Sequence, residues 1–117
     1  MSNQAAVCCP PLVRAPLSVD QAGPLAATFK ALGDPVRLRL VSLIASHAGG
    51  EVCVCDLTGP FDLTGPTISH HLRVLREAGV IDCERRGTWV YYRLVPGVLG
   101  RLASVLDSEP VAAGVAP

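Results

Sequence analysis

Ile68, Leu72 and Leu75 recur at i, i+4, i+7, the spacing of one helix face, while Thr67, Ser69, His70, Arg73 and Arg76 between them are polar donors without a matching run of acids. The pattern predicts a helix with Thr64 as N-cap, Pro66 where a missing N–H costs nothing, and Gly79 closing the end. Just upstream, Val54 to Leu57 reads as a short helix, and Gly59-Pro60 breaks the chain before the long one. Two helices joined across such a break form a helix-turn-helix, whose second helix enters the major groove of DNA. Taken alone, the long helix is better read as an ordinary amphipathic helix with a solvated face. The next stretch changes that reading. After Gly79 the period falls to two: β-rich runs from Val80 to Arg85 and from Thr88 to Leu94 flank Arg86-Gly87, as a hairpin requires. A helix-turn-helix followed at once by a hairpin bearing Arg85, Arg86 and Arg93 is a winged helix-turn-helix, in which the helix reads bases and the wing holds phosphates.

The remaining pattern builds a scaffold around this unit. Residues 1 to 17 contain Pro10, Pro11 and Pro16 with no apolar period, and read as an extended, flexible arm. Ser18 and Gln21 have capping-box spacing, although Gly23-Pro24 can delay the helix start to Pro24. Leu25, Phe29 and Leu32 then form an apolar stripe ending at Gly33. Asp34-Pro35 is an N-cap followed by proline at the first helical position, and Val36, Leu40, Leu43 and Ile44 supply the inner face of a second helix that stops by Gly49-Gly50. A last helix starts near Pro96, shows Leu99, Leu102 and Leu106, and ends before Pro110. The expected fold is mainly α with a β-hairpin wing, in the order α-α-α-α-β-β-α. It occupies residues 18 to 107, between the arm (1 to 17) and a frayed tail (108 to 117).

Composition refines this picture. A chain of 117 residues makes one domain with a modest core, and with only five aromatic residues that core is built of Leu, Val and Ala. No apolar run approaches the ~20 residues of a membrane span, and the first residues lack the basic-then-apolar pattern of a signal peptide. The expected location is the cytoplasm, where thiols stay reduced, so five cysteines point to metal or redox chemistry rather than a disulfide framework. The formal net charge is zero. Between Thr64 and Arg93, however, five arginines face only Glu77, Asp82 and Glu84, with His70 and His71 besides. So small a surplus binds phosphates weakly in one copy, which favours a homodimer that doubles the basic face and matches a palindromic DNA site. The apolar first and last helices are the candidates for that interface. No nucleophile, base and oxyanion arrangement and no phosphate-binding glycine loop is visible, so an enzyme is not expected.

Four blocks in order, Phe29 to Leu40 (FKALGDPVRLRL), Glu51 to Leu57 (EVCVCDL), Pro66 to Gly79 (PTISHHLRVLREAG) and Arg86 to Tyr92 (RGTWVYY), resemble the ArsR/SmtB family. The resemblance covers about residues 18 to 107. It implies a winged-helix homodimeric repressor that leaves its operator DNA when a metal or metalloid ion binds. Carried over by position, it implies operator contacts by Thr64, Thr67, Ser69, His70, His71 and Arg73, with Arg85, Arg86 and Thr88 on the wing. Many members have Ser-Gln where this chain has Thr64-Gly65, so any base contact by that Gln is absent and the operator sequence does not transfer.

The segment Cys53-Val-Cys-Asp-Leu57 resembles the arsenic-site segment of arsenical resistance repressors, in which a third cysteine follows Asp-Leu; here that position is Thr58. A trivalent arsenic or antimony centre prefers three thiolates, and the adjacent pair Cys8-Cys9 on the arm can supply what Cys53 and Cys55 lack. On a regular helix, residues i and i+2 lie ~200° apart, so Cys53 and Cys55 share one ion only if the helix start is irregular. A site of Cys8, Cys9 and one of the two, preferably Cys55, is then geometrically easier. Burial in the core is the competing reading for Cys53 or Cys55, and the favoured one for Cys83 beside Ile81. His47 reads as a capping or surface residue. The family's zinc site on its last helix uses paired His and acids, and residues 96 to 109 hold no His. The expected inducer is As(III) or Sb(III), with no constitutive cofactor. A thiolate sensor of cadmium, lead or zinc, and a redox sensor joining an arm cysteine to Cys53 or Cys55, are the alternatives.

Overall fold

The computed structural model describes residues 11–57 and 65–108. Helix α1 (Val19–Leu32) opens on a complete capping box: Gln21 N–H donates to Ser18 Oγ at 3.1 Å, and Ser18 N–H to Gln21 Oε1 at 3.0 Å. That reciprocal cap starts the helix at Val19, and Pro24 is absorbed inside it rather than setting its beginning. Helix α2 (Pro35–Ser46) starts as expected, with the Asp34 carboxylate accepting from the N–H groups of Val36 and Arg37. Its inner face is Leu40, Val41 and Ile44, with Val36 and Leu43 only partly covered.

The next segment departs from the sequence reading. After a 3₁₀ turn at Ala48–Gly50 comes a strand, β1 (Glu51–Cys53), and the expected short helix is a 3₁₀ turn at Val54–Asp56. Three residues with β-branched Val52 are too few to announce a strand by alternation; their partner, far along the chain, makes them one. Helix α3 (Gly65–Glu77) buries Ile68, Leu72 and Leu75, the stripe read from the sequence. The expected N-cap, Thr64, lies outside the described residues. At the other end Gly79 adopts φ 81°, while Gly79 N–H donates to Arg76 O and Val80 N–H to Leu75 O, both at 3.0 Å. These two bonds form a Schellman closure that satisfies the last carbonyls and aims the chain into the sheet.

Strands β2 (Ile81–Arg86) and β3 (Trp89–Leu94) form the hairpin, and β1 adds to the far edge of β3, giving an antiparallel sheet in the order β1-β3-β2. The turn is Gly87-Thr88, one residue later than expected, with Gly87 at φ 65°, the positive φ that tight hairpin turns require. Helix α4 (Val98–Leu106) turns inward Val98, Leu102 and Val105; Leu99 and Leu106, expected on that stripe, are exposed. The core joins α1, α2, α3 and one face of the sheet through Ala31, Leu40, Ile44, Val52, Leu57, Ile68, Leu72, Leu75, Val80 and Ile81. Among the described residues no polar or charged side chain is buried. Four helices with a three-stranded sheet thus carry the expected wing, with β1 as an unforeseen third strand. No helix among the described residues is long and apolar enough to cross a membrane.

Candidate functional site

Helix α3 is fixed from behind and exposed in front. Its inner stripe is sealed in the core, and Thr28 Oγ1 of α1 donates to the carbonyl of Ala78 just beyond its end at 3.3 Å. Ser69, His70 and Arg73 stand exposed on the outer face, and Thr67 is half-buried. His70 Nδ1 lies 3.4 Å from an Arg73 amino group. His71 turns back: its Nδ1 lies 3.2 Å from Arg37 Nη1, while Arg37 Nε donates to Ala31 O at 2.7 Å. Arg37 therefore ties the C-terminal end of α1 to α3.

The sheet has an inner and an outer face. Val52, Ile81, Tyr92 and Leu94 pack inward. By the same alternation Glu51, Cys53, Asp82, Glu84, Arg86, Trp89, Tyr91 and Arg93 share the outer face. A charge network crosses it. Arg86 donates to both oxygens of Glu51 at 2.6 and 2.9 Å and to Glu84 at 2.9 Å, and its guanidinium stacks 4.6 Å from the Tyr91 ring centroid. Arg93 donates to Glu84 at 3.0 Å and approaches Asp82 at 3.8 Å. Hydrogen bonding to Arg86 holds the Glu51 carboxyl below its ordinary pKa, and Arg86 followed by Arg93 does the same for Glu84. Arg85 and Thr88 are likewise exposed at the hairpin end.

Beside this network lies an open depression of about 440 Å³ lined by His47, Glu51, Cys53, Cys55, Asp56, Trp89 and Tyr91. Cys53 ends β1 and is buried; Cys55 sits in the 3₁₀ turn and is exposed. Their sulfurs are 2.8 Å apart, with the Cys55 thiol donating to Cys53 Sγ. This corrects the expectation that helix geometry sends the two thiols in opposite directions: one is on a strand and the other on a tight turn, so residues i and i+2 converge. Hydrogen bonding to Cys53, burial and the neighbouring Asp56 push the Cys55 thiol upward from its ordinary pKa. Two convergent soft donors suit a thiophilic ion, which would displace their protons. Among the described residues no third His, Cys, Asp or Glu completes a metal-binding group. Cys8 and Cys9 lie outside the described residues. Cys83, expected in the core, is half-buried and accepts from Arg76 Nη1 at 3.2 Å, because its side of β2 meets the end of α3.

Residues 34–82 match the family described as "Bacterial regulatory protein, arsR family". A solved structure titled as a possible transcriptional regulator for arsenical resistance superposes with a TM-score of 0.62 at 36% identity, covering 77% of this chain and 94% of that one. The chain belongs to the ArsR family. In curated sequences it is 53% identical over 70 residues to the arsenic resistance transcriptional regulator ArsR1 of Pseudomonas putida, a stretch covering 60% of this chain and 53% of that protein. The structure of the antimony-specific repressor AntR matches with a TM-score of 0.63 at 31% identity, over 76% of this chain and 79% of that one. Members of this family are winged-helix transcriptional regulators that bind DNA. For this ArsR-family chain, sequence reasoning missed Glu51, Trp89 and Tyr91 as walls of the thiol depression. Trp89 and Tyr91 were legible only as alternating strand residues, and nothing local in the sequence links them to Cys53.

Proposed function

We propose that this protein is a repressor that binds operator DNA as a homodimer and is released when trivalent arsenic or antimony is held by cysteine thiolates. The observation that carries the reading is the Cys53–Cys55 sulfur pair, 2.8 Å apart in residues that line an open depression. Its similarity to an arsenic resistance regulator and to an antimony-specific repressor supports the same ion class. Two thiolates leave a three-coordinate centre incomplete, and Cys8-Cys9 on the N-terminal arm is the proposed source of the remaining donors. Operator contacts are assigned to Thr64, Thr67, Ser69, His70, His71 and Arg73 for the helix and to Arg85, Arg86 and Thr88 for the wing. His71 serves from a position braced by Arg37. The dimer face is assigned to α1 and α4, where Val19, Leu99 and Leu106 are exposed apolar side chains.

Single Cys→Ser variants at positions 8, 9, 53, 55 and 83, each measured for DNA binding and for release by arsenite, antimonite, cadmium, zinc and peroxide, test this. All five should bind DNA, and Cys83→Ser should respond to arsenite like the parent. Cys53→Ser, Cys55→Ser and loss of either arm cysteine should sharply reduce release by arsenite. Release by arsenite that survives deletion of residues 1 to 12 would remove the arm from the site. Release only by cadmium or zinc, or only by peroxide, would reassign the signal.

A further inference from the structure

Arg86 is the wing arginine nearest the hairpin turn, and although it is exposed its guanidinium donors are engaged within the chain. Both Nη groups point at the two oxygens of Glu51, a second Nη2 bond goes to Glu84, and Tyr91 covers one face. A carboxylate and a phosphate present the same forked pair of oxygens to a guanidinium, so the donors aimed at Glu51 cannot serve a DNA phosphate at the same time. The network as a whole sets two arginines, Arg86 and Arg93, against three carboxylates, Glu51, Glu84 and Asp82. While it stays closed, the outer face of the wing has the wrong sign for DNA. Glu51 also lines the thiol depression. It lies two residues before Cys53 on the same face of β1, and Cys53 pairs across the sheet with Tyr91, the ring under Arg86.

We propose that Glu51 is an internal stand-in for DNA phosphate: it withholds Arg86 from the operator, and the thiol pair next to it acts on DNA affinity through this bond. The inference rests on the assignment of Arg86 to a phosphate contact. DNA opens the Glu51–Arg86 bond, and an ion that bridges Cys53 and Cys55 and fixes the end of β1 favours the closed arrangement. The closed wing is then the low-affinity state, and the ion needs only to favour it over the open one to lower DNA affinity.

A double-mutant cycle on a duplex selected from random DNA by the parent protein tests the idea, with Kd measured across a salt series and thermal melts confirming that each variant folds. Arg86→Ala should weaken binding and reduce the slope of log K against log salt by about one. Glu51→Gln, which keeps the shape and removes the charge, should tighten binding about fivefold or more and blunt release by arsenite. In the Arg86→Ala background, Glu51→Gln should change nothing; Glu51→Ala should repeat both results. An Arg86→Ala variant with unchanged affinity and salt slope overturns the phosphate assignment itself. If Arg86→Ala weakens binding but Glu51→Gln does too, or tightens it equally in both backgrounds, the stand-in role alone is overturned, because Glu51 then acts by shaping the wing or by its bare charge.

Discussion

Asp34 accepts from the Val36 N–H at 2.9 Å and the Arg37 N–H at 3.1 Å, and its carboxyl is held below the usual range. The Arg37 backbone bond is the largest cause; partial burial opposes it, and the Arg37 charge and the Val36 bond add to it. Asp34→Ala strips two helix-start N–H groups of their acceptor and should lower the thermal midpoint by roughly 4–8 °C. Asp34→Asn keeps the acceptor and should recover most of that loss. A carboxyl with a folded pKa below its unfolded value stabilises the fold above the unfolded value, and that contribution disappears as pH falls through the folded one. The stability difference between the parent and Asp34→Asn should therefore shrink below about pH 4. Urea titrations at several pH values would show this, and a pH-independent difference would remove ionisation from the cap's role.

At the scale of elements, the proposed operator contacts divide between α3 and the wing by what each exposes. Helix α3 offers short polar groups and His70 from a core-sealed base, which in the proposed complex would discriminate base edges. Arg85 at the hairpin end is exposed and offers charge without shape. Arg85→Ala should weaken binding to every duplex alike and flatten the salt dependence by about one unit, whereas His70→Ala or Thr67→Ala should change sequence preference with the salt slope kept. Competition binding with selected and scrambled duplexes separates the two, and identical behaviour of both classes would refute the division. The hairpin itself depends on Gly87 at φ 65°, where a side chain is strained although nothing lies within 4 Å of an added Cβ. Gly87→Val should loosen the wing and cost DNA affinity without abolishing the fold, as read by circular dichroism beside binding.

For the whole molecule, one copy presents a near-neutral chain with apolar side chains turned outward on α1 and α4. Val19 is 89% exposed and Leu106 58%, while Val98, Leu102 and Val105 already satisfy the inward side of α4. Backbone at the start of the described chain also attaches here, with Leu12 N–H donating to Val105 O at 2.9 Å. In the proposed homodimer a second copy would cover this face, which would account for an α4 that is apolar on both sides. Leu106→Glu together with Val19→Glu should shift sedimentation from dimer to monomer and weaken operator binding by more than tenfold, since two half-sites then bind separately. A double variant that remains dimeric would place the interface elsewhere.

The local code was sufficient for whatever depends on neighbours along the chain. The stripe of Ile68, Leu72 and Leu75, the capping box at Ser18, the Asp34-Pro35 start and the Gly87 turn each follow from spacing and backbone preference, and together they announce a winged helix. The thiol geometry was not legible in this way. Cys53 and Cys55 read as opposed on a helix because Glu51–Cys53 is too short to declare itself a strand; pairing with β3, some forty residues away in sequence, makes it one. That pairing turns the two sulfurs together and places Trp89 and Tyr91 beside them. It also brings Glu51 within reach of Arg86. A short edge strand has no signal of its own, and it exists only because the tertiary fold supplies the backbone that satisfies it.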